Sequence, residues 1–184
     1  MKLPLDLIPF KQVQWLLPLV VTLHNLEEAL WLPNWSKDAG RWHPPVGPRE
    51  FRFAVSVLTG MLYLITYGSI KGGPESRQAY LFHGTAFMML LNVIFPHAVA
   101  TVLLQKYAPG VVTGVLLNLP VTLYLLRRAF REQYISKERF PIAAVGVSLG
   151  TLPLLPLLFF IGKYIDRVFL GSIPPKLAAP IRSK

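Results

Sequence analysis

His24, Glu27 and Glu28 are the residues of this chain best placed to do chemistry. In Leu23-His24-Asn25-Leu26-Glu27-Glu28 the two carboxylates follow the imidazole by three and four positions, so on a helix all three lie within one turn and share a face. The surrounding run, 12–32, is otherwise largely apolar. An imidazole and two adjacent carboxylates turned towards lipid would be costly, so they require a partner, a cavity or a cation. A metal ion is the most economical of these. It accepts neutral imidazole and carboxylate oxygen together, and it offsets the repulsion that would otherwise drive one glutamate to bind a proton.

The elements that must hold these residues are legible in the composition. Of 184 residues 53% are apolar and 15% charged, and the apolar ones gather into runs close to the roughly 20 residues a helix needs to cross a bilayer. Five such runs, 12–32, 53–70, 79–104, 108–126 and 141–162, predict an all-α, polytopic helix bundle of about five transmembrane helices forming a single domain over 1–184. Pro96, Pro153 and Pro156 fall inside runs, which is tolerated where neighbouring helices satisfy the freed carbonyls. Lys71-Gly72-Gly73-Pro74 reads as a turn. Residues 1–11 are expected to lie along the interface or to fray, without the cleavage site of a signal peptide. The loop 33–52 carries Trp35, Trp42 and His43 as headgroup-level anchors, and the basic segment from Lys163 is expected to end the chain without a further domain.

A formal net charge of +10 would suggest nucleic acid in a soluble protein, but here the cations flank apolar runs and meet membrane lipids first. Nucleic acid is therefore excluded as a partner, and a multi-pass location in the cell membrane is expected. Lys and Arg divide nine to ten between the two sides of a five-span arrangement, so they barely decide its orientation. The dense group Arg127, Arg128, Arg131, Lys137 and Arg139 favours a cytoplasmic N-terminus. With no cysteine there are no disulfides and no thiolate metal sites. No phosphate-binding glycine loop, serine elbow or haem-attachment motif is present.

Depth matching selects partners for the first run. His97 falls between His24 and Glu28 in fractional depth, while Asn92 and Asn118 sit nearer mid-membrane. His83 precedes His97 by fourteen residues, about 21 Å of helix, and suits a headgroup contact or a local hydrogen bond.

The chain resembles the HXXEE-motif family of small prokaryotic membrane proteins. The resemblance rests on His24-Asn25-Leu26-Glu27-Glu28, Asn92-Val93-Ile94-Phe95-Pro96-His97, Tyr107-Ala108-Pro109-Gly110-Val111-Val112-Thr113 and Leu119-Pro120, in that order over roughly 15–125. Ala108 stands where the family usually has threonine, a change expected to touch a helix cap and to spare the ligands. The family's biochemical role is largely unassigned, so the resemblance implies a site and no reaction.

The roles follow from chemistry. His24, Glu28 and His97 are expected to ligate a divalent ion, zinc or iron. Glu27 is read as a further ligand or as the base for metal-bound water. Asn92 and Asn118 are read as groups that orient ligands or stabilise an oxyanion, with interhelical hydrogen bonding as the plainer alternative. Thr113 is read as a packing hydroxyl. Hydrolysis of a lipophilic ester or amide is favoured over lipid oxidation, because carboxylate-bridged di-iron bundles repeat Glu-x-x-His on two helices and this chain has one reversed motif. A proton-coupled small-molecule transporter, for which a homo-oligomer would supply the missing symmetry, and a structural subunit are the competing classes.

Overall fold

The structure is a computed structural model that describes residues 4–170. Most of the basic C-terminal segment, from 171 onward, lies outside the described residues. All regular structure among the described residues is helical. Five long helices carry the fold: α1 Leu16–Trp35, α2 Pro48–Gly72, α3 Arg77–Leu104, α4 Val111–Arg131 and α5 Phe140–Val168.

Local chemistry sets their ends. Pro48 opens α2 where its missing N–H costs nothing, and Glu50 reaches back to accept the Gly47 N–H at 2.7 Å. Ser76 caps α3 by accepting the Ala79 N–H at 3.0 Å. Within α3 the helix is interrupted over Val93–Ala98, where Phe95 is extended (φ −128°, ψ 121°) ahead of Pro96. The clash of a proline ring with the preceding residue disfavours helical geometry there. The fourth helix begins at Val111, because Gly110 at φ +94° cannot continue a right-handed helix backwards. Ala108 and Pro109 consequently belong to the connection, and Ala108 does not cap the helix.

Four of the five, α2 to α5, are long and apolar enough to cross a membrane. The fifth expected span, α1, is 20 residues long, but His24, Asn25, Glu27 and Glu28 lower its hydropathy. Its Leu19, Leu23, Leu26 and Leu30 are each about half exposed and fall on one face, while His24, Glu27 and Glu28 are buried on the other. On α5 the exposed Ile142, Val145, Leu149, Leu152 and Phe160 form a similar outward apolar surface. Apolar side chains facing outwards and polar ones facing inwards are the arrangement a bilayer imposes, and the fold is that of a membrane protein.

Helix α3 is central, packing against α2, α4 and α5, and α1 packs against α2 and α4. The main apolar core, including Phe10, Leu17, Phe82, Leu125 and Tyr134, lies towards the start of α1 and α3. The polar site lies further along both helices.

Candidate metal centre

Helix α1 supplies His24 and Glu28 from successive turns, and α3 supplies His97 from within its interruption, just after Pro96. One ligand atom from each of the three lies within 4.8 Å of the others. The Glu28 Oε1 is 3.1 Å from His97 Nε2 and 3.9 Å from His24 Nε2. The imidazoles meet edge to face with centroids 4.9 Å apart. His24 is 1% exposed, His97 2% and Glu28 9%, so bulk solvent hardly reaches them. Although close to Glu28, His97 Nε2 has no hydrogen-bond partner among the described residues. A buried nitrogen left unpaired costs free energy, and a cation between these atoms would relieve it.

The second glutamate is used differently. Glu27 Oε1 accepts the Gly110 N–H at 2.8 Å and the Tyr107 hydroxyl. Its Oε2 accepts the Thr113 N–H at 2.8 Å and the Thr113 hydroxyl at 2.6 Å. Four donors occupy the lone pairs of a carboxylate. The expectation of Glu27 as base or further ligand therefore gives way to a structural role: it ties α1 to the connection that leads into α4. Burial, followed by the hydrogen bond to the charged Glu27, raises the Tyr107 hydroxyl above its ordinary pKa, which keeps it a donor.

Proton counting then orients His24. Thr113 has one hydroxyl hydrogen and gives it to Glu27, so at 3.1 Å its oxygen accepts from His24 Nδ1–H. In the neutral ring the other nitrogen, Nε2, is left with a lone pair facing two acceptor oxygens, Asn92 Oδ1 at 3.1 Å and Glu28 Oε1 at 3.9 Å, an arrangement that a cation between them would stabilise. This is the tautomer a metal ligand needs, held by a hydrogen bond from the far side of the ring. Thr113 is thus a positioning residue rather than a packing hydroxyl. Asn92 Oδ1 lies 3.1 Å from His24 Nε2 and joins the cluster.

Gly110 closes the site from the α4 side. A Cβ at this position would sit 2.5 Å from His97 Cε1 and 2.9 Å from His24 Cε1. Only glycine combines that approach with the positive φ.

Two polar residues stand apart. Asn118 is fully buried, but neither amide atom finds a hydrogen-bond partner among the described residues, so no hydrogen bond to the cluster supports the expected role of orienting ligands or an oxyanion. His83 donates from Nδ1 to the Ala79 carbonyl at 2.7 Å and is enclosed by Phe10, Phe82 and Tyr134. The local hydrogen bond is realised, and complete burial removes the headgroup alternative.

Buried histidines and a carboxylate converging inside outward-apolar helices define a membrane protein with a metal-capable centre. The chain belongs to the HXXEE family: the family model, described as a protein of unknown function with HXXEE motif, matches residues 15–125. It is similar to the uncharacterized protein YrkK of Bacillus subtilis (strain 168), at 41% identity over 146 residues that cover 79% of this chain and 92% of YrkK. No solved structure matches. The matched region contains every residue of the centre, including Tyr107, Gly110 and Thr113, whose roles were not evident from spacing. The conjunction of tyrosine, glycine and threonine immediately before and inside a span was the available signal.

Proposed function

We propose that this protein is a metal-dependent intramembrane hydrolase of the cell membrane, in which His24, Glu28 and His97 bind a divalent cation and the substrate is a lipophilic ester or amide. The observation that carries this reading is the convergence of three buried ligand atoms, with His97 Nε2 3.1 Å from Glu28 Oε1 yet making no hydrogen bond among the described residues. Two neutral imidazoles and one carboxylate suit zinc, with iron as the alternative ion. Bound there, such an ion supplies Lewis acidity and lowers the pKa of a bound water. With Glu27 saturated, the second oxygen of Glu28, which receives no hydrogen bond among the described residues, is the proton acceptor nearest the ligand atoms. Asn92 is placed beside them to hold a substrate oxygen or to complete the ligand set. A lipophilic substrate follows from the position of the centre inside the bundle.

The test is elemental analysis of detergent-purified protein, paired with hydrolysis of p-nitrophenyl octanoate. Wild type is expected to carry one metal per chain and to cleave the ester, and Glu28→Ala and His97→Ala to lose both. Absence of metal after metal-replete expression would overturn the assignment of the centre. Metal without cleavage would retain the centre and reject the reaction.

A second reading is favoured by one observation. Asn118 and Thr122 present buried, unpartnered polar atoms on the α4 face that packs among α1 and α3, as a proton relay in a transporter would. Proton flux into pyranine-loaded liposomes from metal-stripped protein, lost in Glu28→Gln, would select it over hydrolysis.

A further inference from the structure

Helices α3 and α5 enter the membrane from the same side. Arg77 opens α3, and Arg139 directly precedes Phe140 at the start of α5. The two helices pack closely because residue 84 is glycine: a Cβ there would lie 2.8 Å from Val147 Cγ2 and 3.0 Å from the Ala143 carbonyl. Beside this contact an open cleft of about 440 Å³ is walled by Leu81, Ala143, Gly146 and Val147, with Arg77, Arg139, Glu75 and Tyr80 at its polar end. Gly146 contributes space rather than close packing, since nothing lies within 4 Å of where its Cβ would be.

The charges at the mouth are unbalanced. Glu75 accepts the Tyr80 hydroxyl at 2.8 Å and approaches Arg139 only loosely, at 3.7 Å. Arg77 is exposed and has no ion pair among the described residues. Two guanidinium groups and one carboxylate leave one net positive charge over an apolar trough at the membrane boundary. A phosphodiester carries one negative charge and matches the bidentate donors of arginine. Its acyl chain would lie in the trough between the exposed Leu81 and Gly146. A zwitterionic headgroup would bring a second cation against the arginines instead.

We propose that the α3–α5 cleft is a binding site for an anionic phospholipid, with Arg77 and Arg139 holding the phosphate and the trough past Gly146 taking an acyl chain. The site is independent of the metal centre. Arg77 and His97 are twenty residues apart on α3, roughly 30 Å if the helix were uninterrupted.

Native mass spectrometry of the full-length protein in detergent, with added phosphatidylglycerol or phosphatidylcholine, tests it. Phosphatidylglycerol is expected to bind as one tight adduct and phosphatidylcholine more weakly. The double variant Arg77→Gln/Arg139→Gln should weaken phosphatidylglycerol binding about 25-fold, since each cation near an anionic headgroup contributes on the order of a factor of five. Gly146→Leu, which fills the trough and leaves the arginines in place, should weaken it as well while the melting temperature stays that of wild type. Equal binding of the two lipids, or undiminished binding in the double variant, would overturn the proposal. So would displacement of the adduct by millimolar inorganic phosphate, which would reveal an anion site without an acyl groove. A dimer in which the cleft excludes lipid would overturn it in favour of a second copy of the chain.

Discussion

Substituting Gly110 by alanine is the most informative single perturbation of the metal centre. The residue has φ +94°, and a side chain in left-handed geometry costs about 1–2 kcal/mol. The new Cβ would also stand 2.5 Å from His97 Cε1 and 2.8 Å from its Nδ1. Restoring an ordinary carbon contact of about 3.5 Å means moving the ring by about 1 Å. Overpacking of that kind costs about 1–3 kcal/mol, so the variant should lose about 2–5 kcal/mol in total. The displaced ring carries Nε2, now 3.1 Å from Glu28 Oε1, out of a geometry that metal sites hold to about 0.2 Å. Reversible unfolding in detergent micelles gives the stability, and elemental analysis gives the metal stoichiometry. Gly150→Ala is the control, because its Cβ meets nothing within 4 Å, and a mid-helix Gly→Ala change should gain up to about 1 kcal/mol. If Gly110→Ala matched wild type in both unfolding midpoint and metal content, the close approach of Gly110 to the two imidazoles would be refuted as an organising feature.

Other substitutions separate the parts of the centre. Thr113→Val removes both the acceptor of His24 Nδ1–H and a donor to Glu27, and should weaken metal binding roughly 10- to 100-fold in a competition titration. Thr113→Ser should restore most of it, and failure of that rescue would argue against the hydroxyl. Tyr107→Phe leaves Glu27 one donor short and should cost about 1–2 kcal/mol near neutral pH. Because the folded-state pKa of Tyr107 is raised, its contribution is complete below the ordinary tyrosine value of about 10 and declines above it. The gap between wild type and Tyr107→Phe should therefore be flat from pH 7 to 9 and shrink at strongly alkaline pH, and a gap that widened there would contradict the hydrogen bond. Asn118→Leu should leave stability unchanged or raise it, since both amide atoms are buried without partners. A loss above about 1 kcal/mol would mean that the amide is satisfied by bound water.

The amino-acid sequence by itself determined the all-helical membrane architecture, the polar face of α1 and the family. Each depends on local periodicity: apolar runs of spanning length, and a His-x-x-Glu-Glu pattern that any helix turns to one side. Fractional depth also anticipated His97 beside His24 and Glu28, because rise per residue is constant along a helix. Tertiary structure decided how the two glutamates divide their work. Adjacent in sequence, they differ in direction by one helical step, so Glu28 faces His97 while Glu27 meets Tyr107, Gly110 and Thr113. Those donors come from the connection into α4 and its first turn, about eighty residues away, and no local pattern encodes where a proline-interrupted helix and a left-handed glycine will bring them. The same packing left Asn118 without a partner and enclosed His83 in the apolar core. Sequence spacing states which side chains share a face; the close packing of helix on helix selects which of them finds a donor, a ligand or nothing.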